Sequence, residues 1–558
     1  MPIGRNEWRV PLLLIALGSV VRVIYWIIYP PIYKLHAVFT PLDSSTIAYV
    51  SDFQSYIAVR MPFYDVFASI FYAPLAGILG IKALSAFSVL ISIISVPLLY
   101  LSVRRLFDRQ VAIYSLILYA LYPKIAVLTG QGFPEAASVS FIIVALYMFT
   151  KGLPEHNIFW LGGSGVFILF SYLMFVPAVA VGIIFTVWLY VDCMEFETFQ
   201  WNQLIPSWSF IAYSTPPGVV GVLYLVYGPL TQATGTVTGS WSNMASSIFV
   251  NDYGIVERFI RYVSYVYFDF WWHFRGYDKE DGILRILSSL QDFFGDFFII
   301  YAIGWFAITG VCSTIIIYGI YSIINNRSRG HIIVLSWFLV FVLFYTSRNW
   351  GWTGVFQTRH VFPIFPAICI IFGIGANNVF ERIGMIKNLG DKVDVSIHTI
   401  GVILLSFFLI ILVVNGAVEG TMVAENHQLS KEQPVTELQG VVDPGETVAV
   451  STRWDYYDVV IYSESTIRPK LLASTPEVAM VLQNWTVLAD IEYVLPENLS
   501  RSHADYFYAA HCGDWRPYQQ QYLDALNKTT AEVISQSTIE RPAGQCTVRT
   551  IIIKLPNR

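Results

Sequence analysis

The sequence predicts a multi-pass α-helical membrane protein with a small C-terminal soluble α/β domain. Three observations predict it. Hydrophobic residues make up 55% of the 558 residues and charged residues only 13%, whereas roughly 25% of a soluble domain is charged. The apolar character is cut into separate runs of about 17 to 25 residues, the length that crosses about 30 Å of hydrocarbon at about 1.5 Å per residue. After residue 417 the runs shorten and the period changes to that of strands alternating with helices.

Taken in order, the apolar runs place spans near 10–29, 84–103, 111–128, 135–150, 158–175, 177–191, 204–226, 296–322, 331–347, 361–380 and 398–416, about eleven crossings. The opening MPIGRNEWRV has a basic flank but no small-residue cleavage site, so it reads as a retained first span. Arg5, Arg9, Arg104, Arg105, Arg109, Lys151, Arg327, Arg329, Arg382, Lys387 and Lys392 fall into alternate gaps when the N-terminus is cytoplasmic. An odd number of crossings then puts the C-terminal domain outside the cell membrane. The gap 192–203 is the weakest point of this reading, because it carries Asp192, Glu195 and Glu197 and no basic residue.

Three polar regions fall on the outer side: a first loop at 30–83, a second at 228–295, and everything from 417 to 558. The first contains VFASIFYAPLAGILG, apolar but too short to cross, which suits an interfacial helix. The second contains RFIRYVSYVYFDFWWHFRGY, a mixture of aromatics and Arg that fits a headgroup-level belt. In the last, ETVAVS, DVVIYS, IEYVLP and TVRTIIIKL read as strands, and TPEVAMVLQN and QQQYLDALNK as helices. Cys193, Cys312 and Cys369 sit in or beside apolar runs as small hydrophobes, while Cys512 and Cys546 are free to pair if the domain is extracellular. The net charge of -5 offers no broad basic surface, which argues against a nucleic-acid partner.

Chemistry is sought where charges gather at the outer ends of spans, since a charge held in hydrocarbon costs a few kcal/mol and is kept for pairing or function. Asp43 and Asp52 follow the first span; on one helix they face opposite sides, so one of them points into a given cleft, and Asp43 is chosen. Asp43 before SSTIAYV is equally a good helix N-cap. Glu135 follows Pro134, a pairing that also serves simply as helix-start chemistry. Arg348 and Arg359 bracket a short outer loop, SRNWGWTGVFQTR, where two guanidinium groups suit a phosphate through charge-assisted hydrogen bonds. Arg22, in the outer half of the first span, and Lys82, before the second, rank lower because both can snorkel.

In this order the pieces resemble the GT-C glycosyltransferases of the protein-O-mannosyltransferase and aminoarabinose-transferase type, including archaeal members that use dolichyl phosphate mannose. The resemblance covers most of residues 1–416 and rests on several short elements. Asp43 is followed by Tyr49, RMPFY spans Arg60 to Tyr64, and Arg104 to Asp108 ends a span. Tyr122–Pro123 precedes Glu135, and Arg359 precedes Pro363 and Pro366. Ser44 stands where that family often has a second acid, and His360 where a Tyr is common. The resemblance implies a GT-C catalytic domain over 1–416 with its site facing outward. It implies transfer of a hexose, mannose first, from a dolichyl or polyprenyl phosphate donor to a glycan or protein acceptor. Asp43 is then the general base, with Glu135 and, at lower rank, Asp52 as further acids. Arg359, Arg348, Tyr49, Arg60, Tyr64, Lys82, Arg22 and His360 are the expected substrate-binding residues. No cofactor beyond the lipid-linked donor is indicated, and divalent-metal use stays open. Two rivals are an oligosaccharyltransferase-like subunit, faintly suggested by Arg453 to Tyr457, and a transporter or lipid flippase, which would place charges at the midplane of broken helices.

Overall fold

The computed structural model describes residues 8–29, 82–175, 178–193, 208–216, 298–326, 328–347, 362–386, 397–428 and 432–451. It also describes single residues and short pieces near 74–79, 218 and 455–466, and the segments 466–473, 491–501, 504–512, 517–529, 531–540 and 547–555. Contacts divide the chain into two compact units, residues 1–27 with 85–418, and residues 28–84 with 419–558.

The first unit is a helical bundle. Its helices are α1 (Arg9–Ile28), α2 (Ala83–Leu106), α3 (Arg109–Leu121), α4 (Pro123–Gly130), α5 (Pro134–Gly152), α6 (Ile158–Met174) and α7 (Val179–Cys193). They continue with α8 (Phe298–Asn326), α9 (Arg329–Ser347), α10 (Phe365–Ile386) and α11 (Ile397–His427). Among the described residues four helices are long and apolar enough to cross a membrane, or five when α3 and α4 count as one broken span. Five shorter apolar helices lie at 158–174, 179–192, 310–326, 329–343 and 398–414. The span expected at 111–128 is not one straight helix: it is two helices meeting at 47°, because Tyr122 turns extended and Pro123 cannot continue the hydrogen-bond ladder. Most of the interfacial helix expected at 66–80 and most of the span at 204–226 lie outside the described residues.

Outward faces remain apolar, as lipid requires. On α1 the exposed side carries Leu12, Leu13 and Ile27 while Pro11, Leu14, Gly18, Arg22 and Tyr25 turn inward. Helix association without a hydrophobic driving force relies on close backbone approach and interhelical hydrogen bonds. Both are present. A Cβ on Gly375 of α10 would collide with Ile315 O of α8, and one on Gly319 of α8 with Ile371 O of α10. Ser138 of α5 and Ser171 of α6 bond each other's hydroxyl and carbonyl groups.

One end of the bundle collects the cations. Arg329 Nη1 donates to Asp192 Oδ1 at 2.7 Å and His156 lies 3.5 Å from the same carboxylate. His331 packs on Phe107, Arg105 on Tyr147, Lys151 on Trp160 and Arg382 on Tyr318. The gaps near 107, 156, 192 and 330 therefore share one end, and Asp192 finds its basic partner, Arg329, far away in sequence.

In the second unit a six-stranded sheet has the order β3-β2-β1-β4-β6-β5. The strands are β1 (Thr447–Val450), β2 (Arg468–Ala473), β3 (Ile491–Tyr493), β4 (Tyr506–Cys512), β5 (Glu532–Glu540) and β6 (Thr547–Lys554). The first four are parallel and the last two antiparallel. Side chains alternate between two cores. Val448, Val450 and Tyr508 pack with Val435 and Leu438 of α12 (Gln433–Gln439); Ala449, Phe507 and Ile553 pack with Tyr522 and Leu526 of α13 (Pro517–Leu526). The strand expected at DVVIYS opens instead with Asp458 and Val459 in a helical turn, its middle residues 460–462 lying outside the described residues, and β2 takes the place beside β1. Asp455, Asp458 and Glu437 stand near Tyr508, whose hydroxyl is held well above its usual pKa by burial and then by those carboxylates.

Candidate active site

α3 starts at the cation end, so its break with α4 and the turn into α5 stand at the opposite end. Here polar groups turn inward. Within α4, Thr129 Oγ1 donates to Ile125 O at 2.6 Å and lies 3.5 Å from Ser92 Oγ of α2. The helix closes with Gln131 N to Val127 O, Gly132 N to Thr129 O and Phe133 N to Leu128 O at 2.9, 3.1 and 3.0 Å. Gly132 has φ 74, a left-handed conformation that costs glycine little and reverses the chain. Pro134 then opens α5, where no backbone N–H is needed, and Glu135 falls in its first turn beside the positive end of the helix dipole. Glu135 is 4% exposed. A plain helix-start acid faces solvent; this one is enclosed.

Aromatic rings wall the break. Tyr122 lies 4.7 Å from Phe365 at the start of α10, Tyr119 5.9 Å from the same ring, and Phe362 6.1 Å from it. Trp337 Nε1 of α9 donates to Pro363 O at 2.9 Å. From α1, Tyr25 donates to Val413 O of α11 at 2.7 Å, and Gly416 approaches both the Tyr25 hydroxyl and Pro123. α1 runs along this feature at van der Waals distance. A Cβ on Gly18 would meet Ala120 Cβ at 2.8 Å, and one on Gly130 would meet Tyr25 O at 3.0 Å.

Arg22 does not snorkel. Its side chain is wholly buried, with Nε donating to Ser92 Oγ at 2.7 Å, Nη1 to Gly18 O at 2.9 Å and Ala120 O at 3.3 Å, and Nη2 to Tyr119 O at 3.2 Å. Its guanidinium carbon also stands 4.8 Å from the centre of the Tyr119 ring. The residues that receive it, Ser92, Tyr119 and Ala120, were invisible to a reading that looked for charges; Pro123 was the available signal. In the second unit, Lys82 Nζ donates to Tyr29 O at 2.6 Å, and burial lowers its ammonium pKa from 10.5 to about 8.

Asp43, Asp52, Tyr49, Arg60, Tyr64, Arg348, Arg359 and His360 lie outside the described residues. Among the described residues no group of three or more His, Cys, Asp or Glu is placed to hold a metal ion.

An apolar helical bundle with a broken span ahead of a buried acid is the class of protein the described residues define, and a solved structure shares that fold. The chain superposes on ArnT from Cupriavidus metallidurans bound to undecaprenyl phosphate with a TM-score of 0.53 and 11% identity, covering 98% of each chain. For the same protein in its apo state the TM-score is 0.55 at 11% identity over 97% of each. The Archaeoglobus fulgidus oligosaccharyltransferase in the apo form, at 12% identity over 83% of this chain and 64% of that one, has a TM-score of 0.42, too low to support a shared fold. Residues 61–202 match the family described as dolichyl-phosphate-mannose-protein mannosyltransferase. The resemblance to GT-C glycosyltransferases read from the sequence is thus borne out. No curated protein matches the chain by sequence.

Proposed function

We propose that this chain is a membrane glycosyltransferase that moves a hexose, mannose first, from a dolichyl or polyprenyl phosphate to a glycan or protein acceptor on the external face. The observation that carries the reading is the enclosed carboxylate of Glu135 in the first turn after the broken helix. It lies inside the stretch 61–202 that matches the mannosyltransferase family. The lipid phosphate named with ArnT supplies the donor class.

In this reading Asp43 takes the proton of an acceptor hydroxyl as its oxygen attacks the anomeric carbon. The bond from that carbon to the phosphate oxygen breaks, and the electron pair leaves with the phosphate. Arg359 with Arg348 offsets the developing charge, so no general acid is needed, and a single displacement inverts the anomeric centre. Lys82 adds a cation for the donor phosphate, and Glu135 acts as a second acid of the cleft. The cation end of the bundle faces the cytoplasm, following the positive-inside rule.

The test incubates purified protein with a panel of polyprenyl phosphate hexoses and an endogenous lipid-linked glycan or peptide acceptor, and follows release of polyprenyl phosphate. Sugar transfer with phosphate release is expected, and Asp43→Asn abolishes it in a folded protein. Full activity in that variant rejects the assignment. A transporter would move the lipid and release no polyprenyl phosphate.

A further inference from the structure

We propose that Arg22 is a positioning residue: it clasps the break between α3 and α4 and so fixes the short helix that carries the chain to Glu135. The hydrogen-bond ladder shows why a guanidinium is there. In an α-helix the carbonyl of Tyr119 accepts from the N–H four residues on, but that residue is Pro123 and has no N–H. The orphaned oxygen sits in the interior of a membrane bundle, where no water replaces the lost donor and an unmet carbonyl is costly. Arg22 Nη2 donates to this oxygen at 3.2 Å, and Nη1 to the next carbonyl, Ala120 O, at 3.3 Å. A fixed cation also stands at the negative end of α3, the favourable position for a positive charge.

Two further contacts extend the clasp to α4. Ser92 Oγ accepts from Arg22 Nε at 2.7 Å and lies 3.5 Å from Thr129 Oγ1 near the end of α4. Gly130, the last residue of α4, packs closely on Tyr25 and Trp26 of α1, with backbone atoms 3.0–3.1 Å from where a Cβ would stand. The same face of α1 thus grips the end of α3 through Arg22 and the end of α4 through Gly130. The next turn, through Gly132, delivers Glu135. A planar fork reaches two adjacent carbonyls and a hydroxyl at once; an ammonium cannot match that geometry.

The test is a double-mutant cycle in the full-length protein in detergent. Pro123→Ala returns an N–H to Tyr119 O, so it should relieve the need for Arg22. Arg22→Met is expected to lower the melting midpoint clearly in the native background and by less than half as much beside Pro123→Ala; Arg22→Lys is expected to fall between. Equal loss in both backgrounds overturns the clasp. If Arg22→Met alone yields no folded protein, recovery of a monodisperse protein by Pro123→Ala supports it, and failure of that recovery overturns it. The kinetic arm rests on the proposed transfer reaction. There kcat is expected to fall about tenfold with KM for a polyprenyl phosphate mannose donor within twofold. A raised KM at unchanged kcat would mark Arg22 as a donor contact and overturn positioning. Should the unaltered protein transfer no sugar, the proposed function fails while the melting cycle still decides the clasp.

Discussion

Two arginines at opposite ends of the bundle show how environment sets what a charge is worth. Arg329 points into the open, its side chain 81% exposed, and pairs with Asp192 at 2.7 Å. Arg22 has no exposed surface and bonds two carbonyls of α3, one of its own helix, and Ser92. Water and salt compete for the Arg329 guanidinium, which keeps an ion pair of this kind to about 0–1 kcal/mol, although the Asp192 side chain it meets is only 10% exposed. A buried guanidinium cannot be removed so cheaply, because each carbonyl it leaves unmet costs about 1–3 kcal/mol. The first arginine decorates a loop end, and the second holds a broken helix together. Sequence patterning discloses neither role: it sorts Arg329 into a gap between spans and leaves Arg22, inside the first span, to snorkel.

The contrast can be broken most severely at the backbone contact beneath Arg22. Gly18→Leu drives a branched side chain into Ala120, 2.8 Å from where its first carbon would stand. The variant should lose folded, monodisperse protein in size-exclusion chromatography, whereas Gly310→Leu, at a site with open space, should not.

A large but more selective effect is expected one turn further along. Glu135→Gln keeps the shape of the side chain and removes its charge, so the melting midpoint should hold while transfer falls by about a hundredfold or more. Undiminished turnover would reduce Glu135 to helix-start chemistry.

Lys82 offers a pH test outside the spanning segments. Its pKa is lowered to about 8 by burial, so the folded protein loses this charge between about pH 7 and 9 while the unfolded chain keeps it to about 10.5. The unfolded state then binds more protons over the window from 8 to 10.5, and Lys82 adds stability as pH rises through it. Affinity for a polyprenyl phosphate donor, if Lys82 holds the phosphate, should move the other way and weaken as pH passes 8. A pH-independent affinity from 7 to 9 would remove Lys82 from the donor site, and Lys82→Met should abolish any pH step that is seen.

The smallest effect belongs to the exposed arginine. Arg329→Ala should change stability by no more than about 1 kcal/mol, with the change shrinking further at high salt. A loss as large as that of Arg22→Met would erase the distinction between the two ends.

Much of the frame was legible in the residues. The starts and ends of α1, α2, α5, α6, α7 and α9 fall within a few residues of the apolar runs, because a lipid-crossing helix must be both long and apolar. Pro134 and Glu135 announced the start of α5 by ordinary capping chemistry. β1, β3 and β6 also coincide with stretches that read as strands, while β2, β4 and β5 went unread and DVVIYS begins as a helical turn. A short apolar run has the same appearance in a buried turn as in a strand, and only the neighbouring strands decide which it becomes.

The sequence by itself determined that this protein lives in a bilayer and keeps acids and cations at the margins of its spans. That follows from composition and length, which are local properties. Tertiary structure alone decided that Arg22 turns inward to the carbonyls of Tyr119 and Ala120, nearly a hundred residues away, and that Glu135 is enclosed. The physical reason is that a hydrogen-bond debt created at one place, by Pro123, is met from wherever the fold brings a donor, and no periodicity along the chain records that distance.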